Sequence, residues 1–519
     1  GTAGGLGGGG TAGGLGGGGT AGGLGGGGTA GGLGELGTTG LGSGWSGRGS
    51  GGGSLGSKGV FLAKDWRHVG FNPVELASDD FLSTFSIDVD TGSYTQARRM
   101  IHEGTVPPPR SVRTEEFVNY LDYVYPQPDE GQPFSITLEA APHPWIAGHQ
   151  ILRIGIQGDR LTRSERPSMH LTFLVDTSCS MTSDDKLPLA KAALHHLVEN
   201  LRPDDTVALA SYAGHTAKLL DPTPAASAPT IHRAIDGLSS GGGTAMADGM
   251  RLAYDMARAA HVDGEESRVL VLSDGDANIG QASPTQILDT LAHHAGQGIT
   301  LSTVGFGAGN YRDTMMEQLA DRGDGNYVYI DSQQEAERVF GEDIGATLQT
   351  IARDVKIQVQ FDPDSVLAYR LLGYENREIA DADFRNDEVD AGEVGAGHSV
   401  TALYDVVLRD DPPGDIATVR IRYRPPGADR AAQEIAVRLP TAALHPSIED
   451  ASRDLRLALG CASFAEKLRG AREVEEISYA QIAGLVRQGL RSDTERDDEL
   501  LELIQRIDAI TSGDPLAHR

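Results

Sequence analysis

Residues 171–180 read Leu-Thr-Phe-Leu-Val-Asp-Thr-Ser-Cys-Ser, an apolar run that changes at its midpoint into acidic and hydroxyl side chains. The first half, Leu171–Val175, predicts a buried strand, because short apolar runs are typical of strands covered on both faces. Asp176, Ser178 and Ser180 alternate along the turn that follows. In an open α/β sheet, ligands bind outside the carboxyl ends of the strands. The stretch therefore predicts a polar site directly after a buried strand.

The surrounding chain, residues 168–347, repeats this alternation of short apolar runs with helical stretches. In the first helical stretch, apolar residues recur at helical spacing over 187–201, and Pro188 stands in the opening turn, where its missing N–H costs little. Apolar strands that alternate with helices predict an α/β unit with a doubly wound, mostly parallel sheet covered by helices on both faces. The other predicted strands are Val207–Ala210, Val269–Leu272 and Ile299–Val304.

Strand patterns without intervening helices flank the α/β unit. Two runs within residues 132–167 predict a hairpin, and four more occur within residues 348–444. We therefore predict that the α/β unit is inserted into a β-sandwich whose first strands come from 134–158. Residues 445–519 carry two apolar stripes at helical spacing and predict a helical C-terminal domain. The strand-like runs are 135–140, 151–158, 355–361, 401–408, 417–423 and 434–439.

The front of the chain has an abnormal composition. Of the 69 glycines in 519 residues, 33 lie in residues 1–59, where a nonapeptide that begins Thr-Ala-Gly-Gly-Leu occurs four times. One leucine per repeat cannot offset the backbone entropy of so many glycines, so we expect a flexible, disordered linker; a glycine-rich packed array is the alternative. Residues 60–131 are mixed and aromatic and predict a small folded unit. Because no charged and apolar leader precedes Gly1, we expect any targeting peptide to have been removed or never included.

The net charge of −29 argues against a nucleic-acid partner, because counterion release needs clustered Lys and Arg side chains. An acidic surface suits cations or basic partners instead. Cys179 and Cys461 are too few and too far apart in sequence for a disulfide framework. No run approaches the roughly 18 apolar residues that a membrane-spanning helix needs, so we expect no transmembrane span in this chain.

Two further polar segments are expected at the same sheet edge as the turn after Val175. One is the glycine-rich loop at 241–244, and the other is the segment at 273–276, which follows a predicted strand. Together the three loops offer two carboxylates and three hydroxyls. Such hard oxygen donors suit Mg²⁺ or Mn²⁺ and give Zn²⁺ none of the nitrogen or sulfur ligands that it prefers. The candidate metal-binding residues are Asp176, Ser178, Ser180, Thr244 and Asp274.

These residues resemble the metal-ion-dependent adhesion site of the von Willebrand factor type A (vWA) domain. The shared features are an Asp-x-Ser-x-Ser loop, a threonine in a glycine-rich loop and an aspartate after the fourth strand. The resemblance implies that Ser178, Ser180 and Thr244 contact the ion, while Asp176 and Asp274 act through water and a partner carboxylate fills the open position. An ion whose direct protein ligands are mostly neutral hydroxyls keeps positive charge, so an incoming carboxylate gains strongly on docking.

The resemblance has two departures, and it extends beyond the α/β unit. Cys179 stands where the family usually has Gly and could crowd the loop, and Ser273 replaces a frequent Thr. A vestigial site, in which these polar residues only cap turns and helices, is the alternative. Segments at 83–91 and 373–377 look like those that flank the domain in one bacterial group of vWA proteins. The tail resembles that group's C-terminal domain of unknown function, so the resemblance covers about 72–508 and defines the fold better than the role.

Three other motifs give weaker evidence for a functional site. Gly237–Gly241 matches the GxSxG nucleophile elbow, but it follows a helical stretch where the elbow needs a strand. The segment 274–278 begins like an EF-hand loop and lacks the later ligands, although Asp276 is a candidate for holding the metal's ligands in place. The adjacent histidines at 195–196 and 293–294 point about 100° apart on a helix and cannot chelate as an i, i+4 pair would.

Two acidic segments are further candidate binding sites. Arg322-Gly323-Asp324 spells a known adhesion tripeptide, but a turn between a helix and a strand makes a chance match the preferred interpretation. The acidic stretch at 383–393 is a candidate Ca²⁺ site, with solvated loop carboxylates as the alternative. Its polar residues are Asp383, Asn386, Asp387, Asp390 and Glu393.

The leading hypothesis is a non-enzymatic protein-binding module that presents Mg²⁺ or Mn²⁺ to a carboxylate of a partner protein. A long glycine-rich arm favours an extracytoplasmic or envelope-anchored location. The alternative is an enzyme or enzyme subunit: a metal-assisted hydrolase, with Asp248, Asp274 or Asp276 as general base, or the partner of a separate ATPase. The chain has no P-loop motif of its own. In a third interpretation, the sandwich and tail bind the partner and the metal is structural.

Overall fold

The computed structural model describes residues 70–161, 166–275, 297–307, 313–342, 344–426, 431–491 and 494–513. The glycine-rich repeats at 1–59, Asp276 and the histidine pair at 293–294 lie outside the described residues, so the predictions about them stay predictions. The strands in the described residues are β1 (Glu75–Leu76), β2 (Leu82–Ser86), β3 (Phe134–Pro142), β4 (His149–Gly158), β5 (Met169–Asp176), β6 (Thr206–Tyr212), β7 (Thr216–Pro224), β8 (Glu266–Ser273), β9 (Ile299–Phe306), β10 (Tyr327–Ile330), β11 (Thr350–Phe361), β12 (Val366–Leu372), β13 (Val394–Gly395), β14 (Ser399–Leu408), β15 (Asp415–Arg424) and β16 (Gln433–Pro440). The α-helices there are α1 (Gly92–His102), α2 (Thr114–Tyr120), α3 (Leu187–Asn200), α4 (Ala228–Asp236), α5 (Met246–Ala260), α6 (Asp313–Arg322), α7 (Gln333–Glu337), α8 (Ile344–Leu348), α9 (Arg453–Arg469), α10 (Tyr479–Gly489) and α11 (Glu495–Ser512).

The predicted α/β unit forms one six-stranded sheet in the order β10-β9-β8-β5-β6-β7. The first five strands in this order run parallel, and β7 is antiparallel at the edge. Strand β5 lies between β6 and β8, so that Asp176 stands beside Tyr212 at the carboxyl end of the sheet. The prediction of a doubly wound, mostly parallel sheet is confirmed.

Helices cover this sheet on both faces. Phe173 and Leu174 are neighbours in β5 and enter different hydrophobic cores, because successive side chains of a strand point to opposite faces. The core that contains Phe173 includes buried residues of α3 and α4, such as Leu194 and Ile231. The core that contains Leu174 includes Met250 and others from α5 and α6. Burial on both faces explains why the sequence of these strands is apolar throughout.

The strands outside the α/β unit form two antiparallel sheets that share one core. One sheet has the order β1-β12-β14-β4-β3, and the other has the order β13-β11-β15-β16, with β2 also paired to β11. Ile154 and Tyr404 from the first sheet and Val359 and Ile421 from the second are buried in the same cluster. Strands β3 and β4 precede the α/β unit and β11 to β16 follow it. The predicted insertion into a β-sandwich is therefore confirmed.

The predictions for the segment before this hairpin are wrong in two respects. The first strands of the sandwich come from β1 and β2, not from 134–158, because β1 pairs with β12 and β2 pairs with β11. The helices of the same segment do not form a small unit of their own. Tyr94 of α1 stacks on Tyr120 of α2 at 3.9 Å between ring centroids, and both are buried in one core with α9, α10 and α11. Two short helices and two short strands have too few apolar residues for a separate core.

The predicted helical tail is confirmed. Helix α9 begins after Ser452, whose Oγ accepts a hydrogen bond from the N–H of Leu455 at 3.1 Å. It ends at Gly470, which has a φ of +82° and so takes a conformation that suits glycine. Leu457, Cys461 and Phe464 are fully buried against the N-terminal helices. Among the helices that the structure describes, none combines the length and the apolar character needed to cross a membrane.

Candidate metal centre

The first loop of the site begins where β5 ends. Asp176 is fully buried, and its Oδ1 accepts a hydrogen bond from the N–H of Ser178 at 2.8 Å. Its Oδ2 accepts one from the hydroxyl of Ser273, at the end of β8, at 3.0 Å. The following residues, Cys179–Thr182, form a short 3₁₀ turn, and the Oγ atoms of Ser178 and Ser180 lie 2.9 Å apart. Asp176 thus holds two loops together and positions a pair of hydroxyl oxygens.

The glycine-rich loop lies directly against this turn. The N–H of Gly241 donates to the carbonyl of Thr177 at 2.7 Å, and the N–H of Cys179 donates to the carbonyl of Gly242 at 3.2 Å. Gly242 has a φ of +92°, so a side chain at this position would be strained. The loop leads through half-buried Thr244 into α5. Glycine is therefore needed at Gly242, whereas a Cβ added at Gly241 would meet no atom within 4 Å.

Cys179, the departure from the family pattern, is accommodated in this contact. Its side chain is exposed, and Sγ accepts a hydrogen bond from the N–H of Gly242 at 3.2 Å. The main chain of the turn keeps its own hydrogen bond to the glycine-rich loop. The thiol therefore contacts the glycine-rich loop.

The third loop carries Asp274, which lies one residue beyond β8 and is 2 % exposed. Its Oδ2 accepts a hydrogen bond from the Nζ of Lys186 at 2.8 Å, and the same ammonium group donates to the carbonyl of Ser180 at 3.0 Å. Lys186 immediately precedes α3. Its aliphatic stem lies over Gly307, where an added Cβ would come within 2.4 Å of Cε. The protein thus places its own cation between two of the three loops.

Sequence reasoning missed Lys186. A lysine close in sequence to the Asp-x-Ser-x-Ser loop was the available signal, but its partner Asp274 is 88 residues away. The prediction considered only oxygen donors and did not consider which cations the chain itself supplies.

The electrostatics of the site favour an additional positive charge. Burial raises the pKa of Asp176, the hydrogen bonds from Ser178 and Ser273 lower it, and the charge of Asp274 raises it again. Burial, followed by the charge of Asp176, also raises the pKa of Tyr212 well above its ordinary value. A cation at this edge would favour the ionised carboxylates.

The donor chemistry fits a hard divalent cation. Hydrogen bonds link Asp176 to Ser178 and Ser178 to Ser180. Lys186 links Ser180 to Asp274. Thr244 lies in the glycine-rich loop, which contacts the same turn. The oxygen donors come from carboxylates and hydroxyls, as Mg²⁺ and Mn²⁺ prefer. Asp248, a candidate general base, is exposed on α5 and forms an ion pair with Arg251 at 2.8 Å.

Comparisons with known protein families cover most of the described chain. The family model for the von Willebrand factor type A domain matches residues 170–342, and a model described as von Willebrand factor matches residues 61–153. A third model, described as the C-terminal region of the uncharacterized protein YfbK, matches residues 346–414 and 409–510. The matches fall on the six-stranded sheet, on the segment before it, and on the sandwich and helical tail after it.

Two relatives and one solved structure illustrate the likeness. The chain is 35% identical over 467 residues to the "Uncharacterized protein YfbK" of Escherichia coli K12, which covers 85% of this chain and 80% of that protein. It is 25% identical over 285 residues to the "Uncharacterized protein sll0103" of Synechocystis, covering 53% of this chain and 66% of the relative. The solved von Willebrand factor type A structure from Catenulispora acidiphila is 13% identical, with a TM-score of 0.42, and the match covers 69% of this chain and 87% of that one.

Proposed function

Because this chain belongs to the YfbK family of bacterial von Willebrand factor type A proteins, we propose that it is a metal-dependent protein-binding module. In this proposal the carboxyl edge of the six-stranded sheet holds Mg²⁺ or Mn²⁺, and the ion binds a carboxylate of a partner protein. The vWA domain supports a role in protein interaction, and the metal and its use in binding are our inference. The glycine-rich arm at 1–59 supports display from the cell envelope as part of the same proposal.

The arrangement of the Asp176 turn carries the proposal. Asp176 is buried and fixed by hydrogen bonds on both oxygens, and it positions Ser178 so that its hydroxyl lies 2.9 Å from that of Ser180. Two hydroxyl oxygens at this separation are suited to bind one hard cation. Ser178, Ser180 and Thr244 would hold the ion, while Asp176 and Asp274 would act through water.

In the proposed site, Lys186 and a divalent ion would share the neutralisation of Asp274. The ammonium group of Lys186 forms an ion pair with Asp274 at 2.8 Å. A bound Mg²⁺ would take over part of this neutralisation, and its hydroxyl ligands would leave it with charge for an incoming carboxylate. Binding of the partner is therefore expected to depend on the metal.

Calorimetric titration of Mg²⁺ into the full chain tests the metal site. We expect heat of binding from wild type and binding weaker by roughly tenfold or more from Asp176→Asn, which removes a charge with little change in shape. Ser183→Ala is the matched control, because Ser183 is an exposed hydroxyl nearby that donates to Asp185 at 2.5 Å. Equal affinities for wild type and Asp176→Asn, with both proteins folded by circular dichroism, would refute the site.

Capture of a partner from bacterial lysate tests the role. A protein retained by wild type in Mg²⁺, and released both by EDTA and by Asp176→Asn, is the expected result. Retention that is indifferent to both changes would assign binding to the sandwich or tail and overturn the metal-dependent mechanism.

The geometry gives less support to the hydrolase alternative. A general base must be free to accept a proton from metal-bound water. Two of the three candidates are engaged: Asp274 forms an ion pair with Lys186, and Asp248 forms one with Arg251. The third candidate, Asp276, lies outside the described residues. The subunit version, in which the chain assists a separate ATPase, would appear in the capture experiment as a metal-dependent ATPase partner.

A further inference from the structure

Three carboxylates converge at a place far from the candidate metal centre. Asp324 lies in the turn between α6 and β10, and Asp390 and Glu393 lie in the loop before β13. One oxygen from each carboxylate lies within 4.8 Å of one from each of the others. Because β10 runs parallel to β9, the Asp324 turn stands at the amino ends of the parallel strands. The cluster is therefore at the opposite edge of the sheet from Asp176.

Glu393 is the unusual member of this cluster. Its side chain is 7 % exposed, and no residue that the structure describes gives it a hydrogen bond or an ion pair. Burial, followed by the charges of Asp324 and Asp390, raises the pKa of Glu393 well above its ordinary value. A buried carboxylate that accepts no hydrogen bond and is only partly compensated by a cation is costly. Such a group beside two other carboxylates is suited to share a cation with them.

The protein's own cations compensate the cluster only in part: Arg353 lowers the pKa of both Asp324 and Glu393, but burial and the neighbouring acids outweigh it. Nη1 of Arg353 lies 3.9 Å from the Oδ2 of Asp324, which is a loose contact. Burial, followed by the charges of Asp324 and Asp354, raises the pKa of Asp390 to about 6, although the charge of Arg322 opposes this increase. Against the three carboxylates, these arginines give incomplete compensation.

The backbone keeps the carboxylates where they are. In the loop that carries Asp390 and Glu393, the N–H of Gly392 donates to the Oγ of Ser86 at 2.7 Å, and its carbonyl accepts from Val355 at 2.9 Å. In the turn that carries Asp324, the N–H of Gly325 donates to the carbonyl of Ala320 at 3.0 Å. Both segments are tied to regular structure, so the acids are held near one another.

We propose that Asp324, Asp390 and Glu393 form a second divalent-cation site, of the Ca²⁺ type, that joins the α/β unit to the β-sandwich. Oxygen ligands lie about 2.3–2.6 Å from Ca²⁺, so oxygens on opposite sides of one ion are about 5 Å apart. The observed spacing of up to 4.8 Å fits this geometry. Three carboxylates suit Ca²⁺, which accepts irregular coordination, better than Mg²⁺, which demands a regular octahedron and keeps several waters.

The site would act on stability and on the junction of the two parts. One ligand belongs to a turn of the α/β unit and two belong to a sandwich loop, so the ion would link segments that are distant in sequence. Because the ion would bind only the folded arrangement, Ca²⁺ should raise the melting temperature. This proposal is independent of the Mg²⁺-dependent function proposed above.

Calorimetry and thermal melting of the full chain test the proposal. The protein is first stripped of metal with EGTA and is then titrated with CaCl₂ to about 1 mM, which covers the dissociation constants of weaker calcium-binding modules. Asp176→Asn serves as the background, so that the candidate metal centre does not contribute. We expect one Ca²⁺ per chain and an upward shift of the melting temperature. Glu393→Gln in this background should bind Ca²⁺ roughly tenfold or more weakly and lose the shift.

Glu388→Gln is the matched control, because Glu388 is an exposed carboxylate in the same loop. It should bind Ca²⁺ and melt like the background. The melting temperature of Glu393→Gln without Ca²⁺ checks the fold, and it should be no lower than that of the background, since a neutral amide replaces a buried acid that lies beside two others. No Ca²⁺ binding by the background, or equal binding by the background and Glu393→Gln, would overturn the proposal.

Discussion

Acidic side chains gather at both edges of the six-stranded sheet, but the protein neutralises them differently. At the carboxyl edge, Asp176 accepts two hydrogen bonds and Asp274 forms an ion pair with Lys186 at 2.8 Å. At the amino edge, Glu393 has no hydrogen bond from the described residues, and the nearest arginine contact in the cluster is 3.9 Å long.

The difference separates two possible roles for a metal. A site that contains its own ammonium group does not depend on a divalent ion for stability. An ion at such a site can therefore bind and dissociate together with a partner protein. A site whose carboxylates are only partly compensated should gain stability from an ion. In the two proposals, the ion at the carboxyl edge is therefore functional and the ion at the amino edge is structural.

The largest predicted effect concerns Glu335. Neighbouring donors fully compensate the charge of this buried carboxylate, so it serves as a reference for the acids at the two edges. Glu335 is 2 % exposed and accepts hydrogen bonds from Nη2 of Arg98 at 3.0 Å, Nε of Arg338 at 2.9 Å and the hydroxyl of Tyr120 at 2.9 Å. Burial would raise its pKa, but the two arginines outweigh burial and lower it to about 2. Since the pKa is lowered on folding, the ionised Glu335 stabilises the fold fully at pH values above its ordinary pKa of 4.5. This stabilisation is lost as the pH falls to about 2.

Glu335→Gln should therefore lower the free energy of unfolding at pH 7 by about 3 kcal/mol. The difference from wild type should shrink as the pH is lowered from 4.5 to 2, as measured by urea unfolding at a series of pH values. Glu337→Gln, on an exposed side chain of the same helix, is the control and should change stability little. A loss of stability that is the same at pH 7 and pH 3 would contradict the assigned role of the charge.

Removal of the ammonium group should make the carboxyl edge resemble the amino edge. Lys186→Met leaves Asp274 buried without its ion pair, which should cost about 2 kcal/mol in metal-free stability, less than for a fully buried pair because Lys186 is partly exposed. Mg²⁺ should now restore more stability than it does in wild type and should bind more tightly. Lys191→Met is the control, since Lys191 is half-buried on the same helix and its Nζ donates to a backbone carbonyl, that of Asp236. Chemical unfolding with and without Mg²⁺ measures both effects, and unchanged Mg²⁺ dependence would show that Lys186 does not compete with the ion.

The sequence predicts the sheet well where burial leaves a pattern and poorly where it does not. Strands β5, β6, β8 and β9 are buried on both faces, and their continuous apolar runs predicted them. Strand β7 was missed because its residues are mostly exposed, as is usual for an edge strand. Strands β1 and β2 were missed because they are short and pair with partners far along the chain.

The candidate sites show the same limit. Asp176 and Asp274 were predictable, because each follows a buried strand and the ends of parallel strands meet at one edge. Lys186 was not, because the path of its side chain depends on the room that Gly307 leaves. The acidic stretch at 383–393 was noticed from the sequence, but its contact with Asp324 depends on how the α/β unit meets the sandwich.

The smallest predicted effect tests whether the carboxyl edge is organised by its backbone or by side chains. Cys179 contributes one weak hydrogen bond from Gly242 to its Sγ, whereas the main-chain bonds of Thr177 and Cys179 to the glycine-rich loop do not need the thiol. Cys179→Ala should therefore change the free energy of unfolding by less than about 0.5 kcal/mol and the Mg²⁺ affinity by less than about threefold. The exposed thiol should also be the one that reacts with a thiol reagent in the native chain, since Cys461 is buried and burial raises its pKa. A large loss of Mg²⁺ affinity in Cys179→Ala would show that the thiol shapes the site and would weaken the contrast between a preorganised carboxyl edge and an uncompensated amino edge.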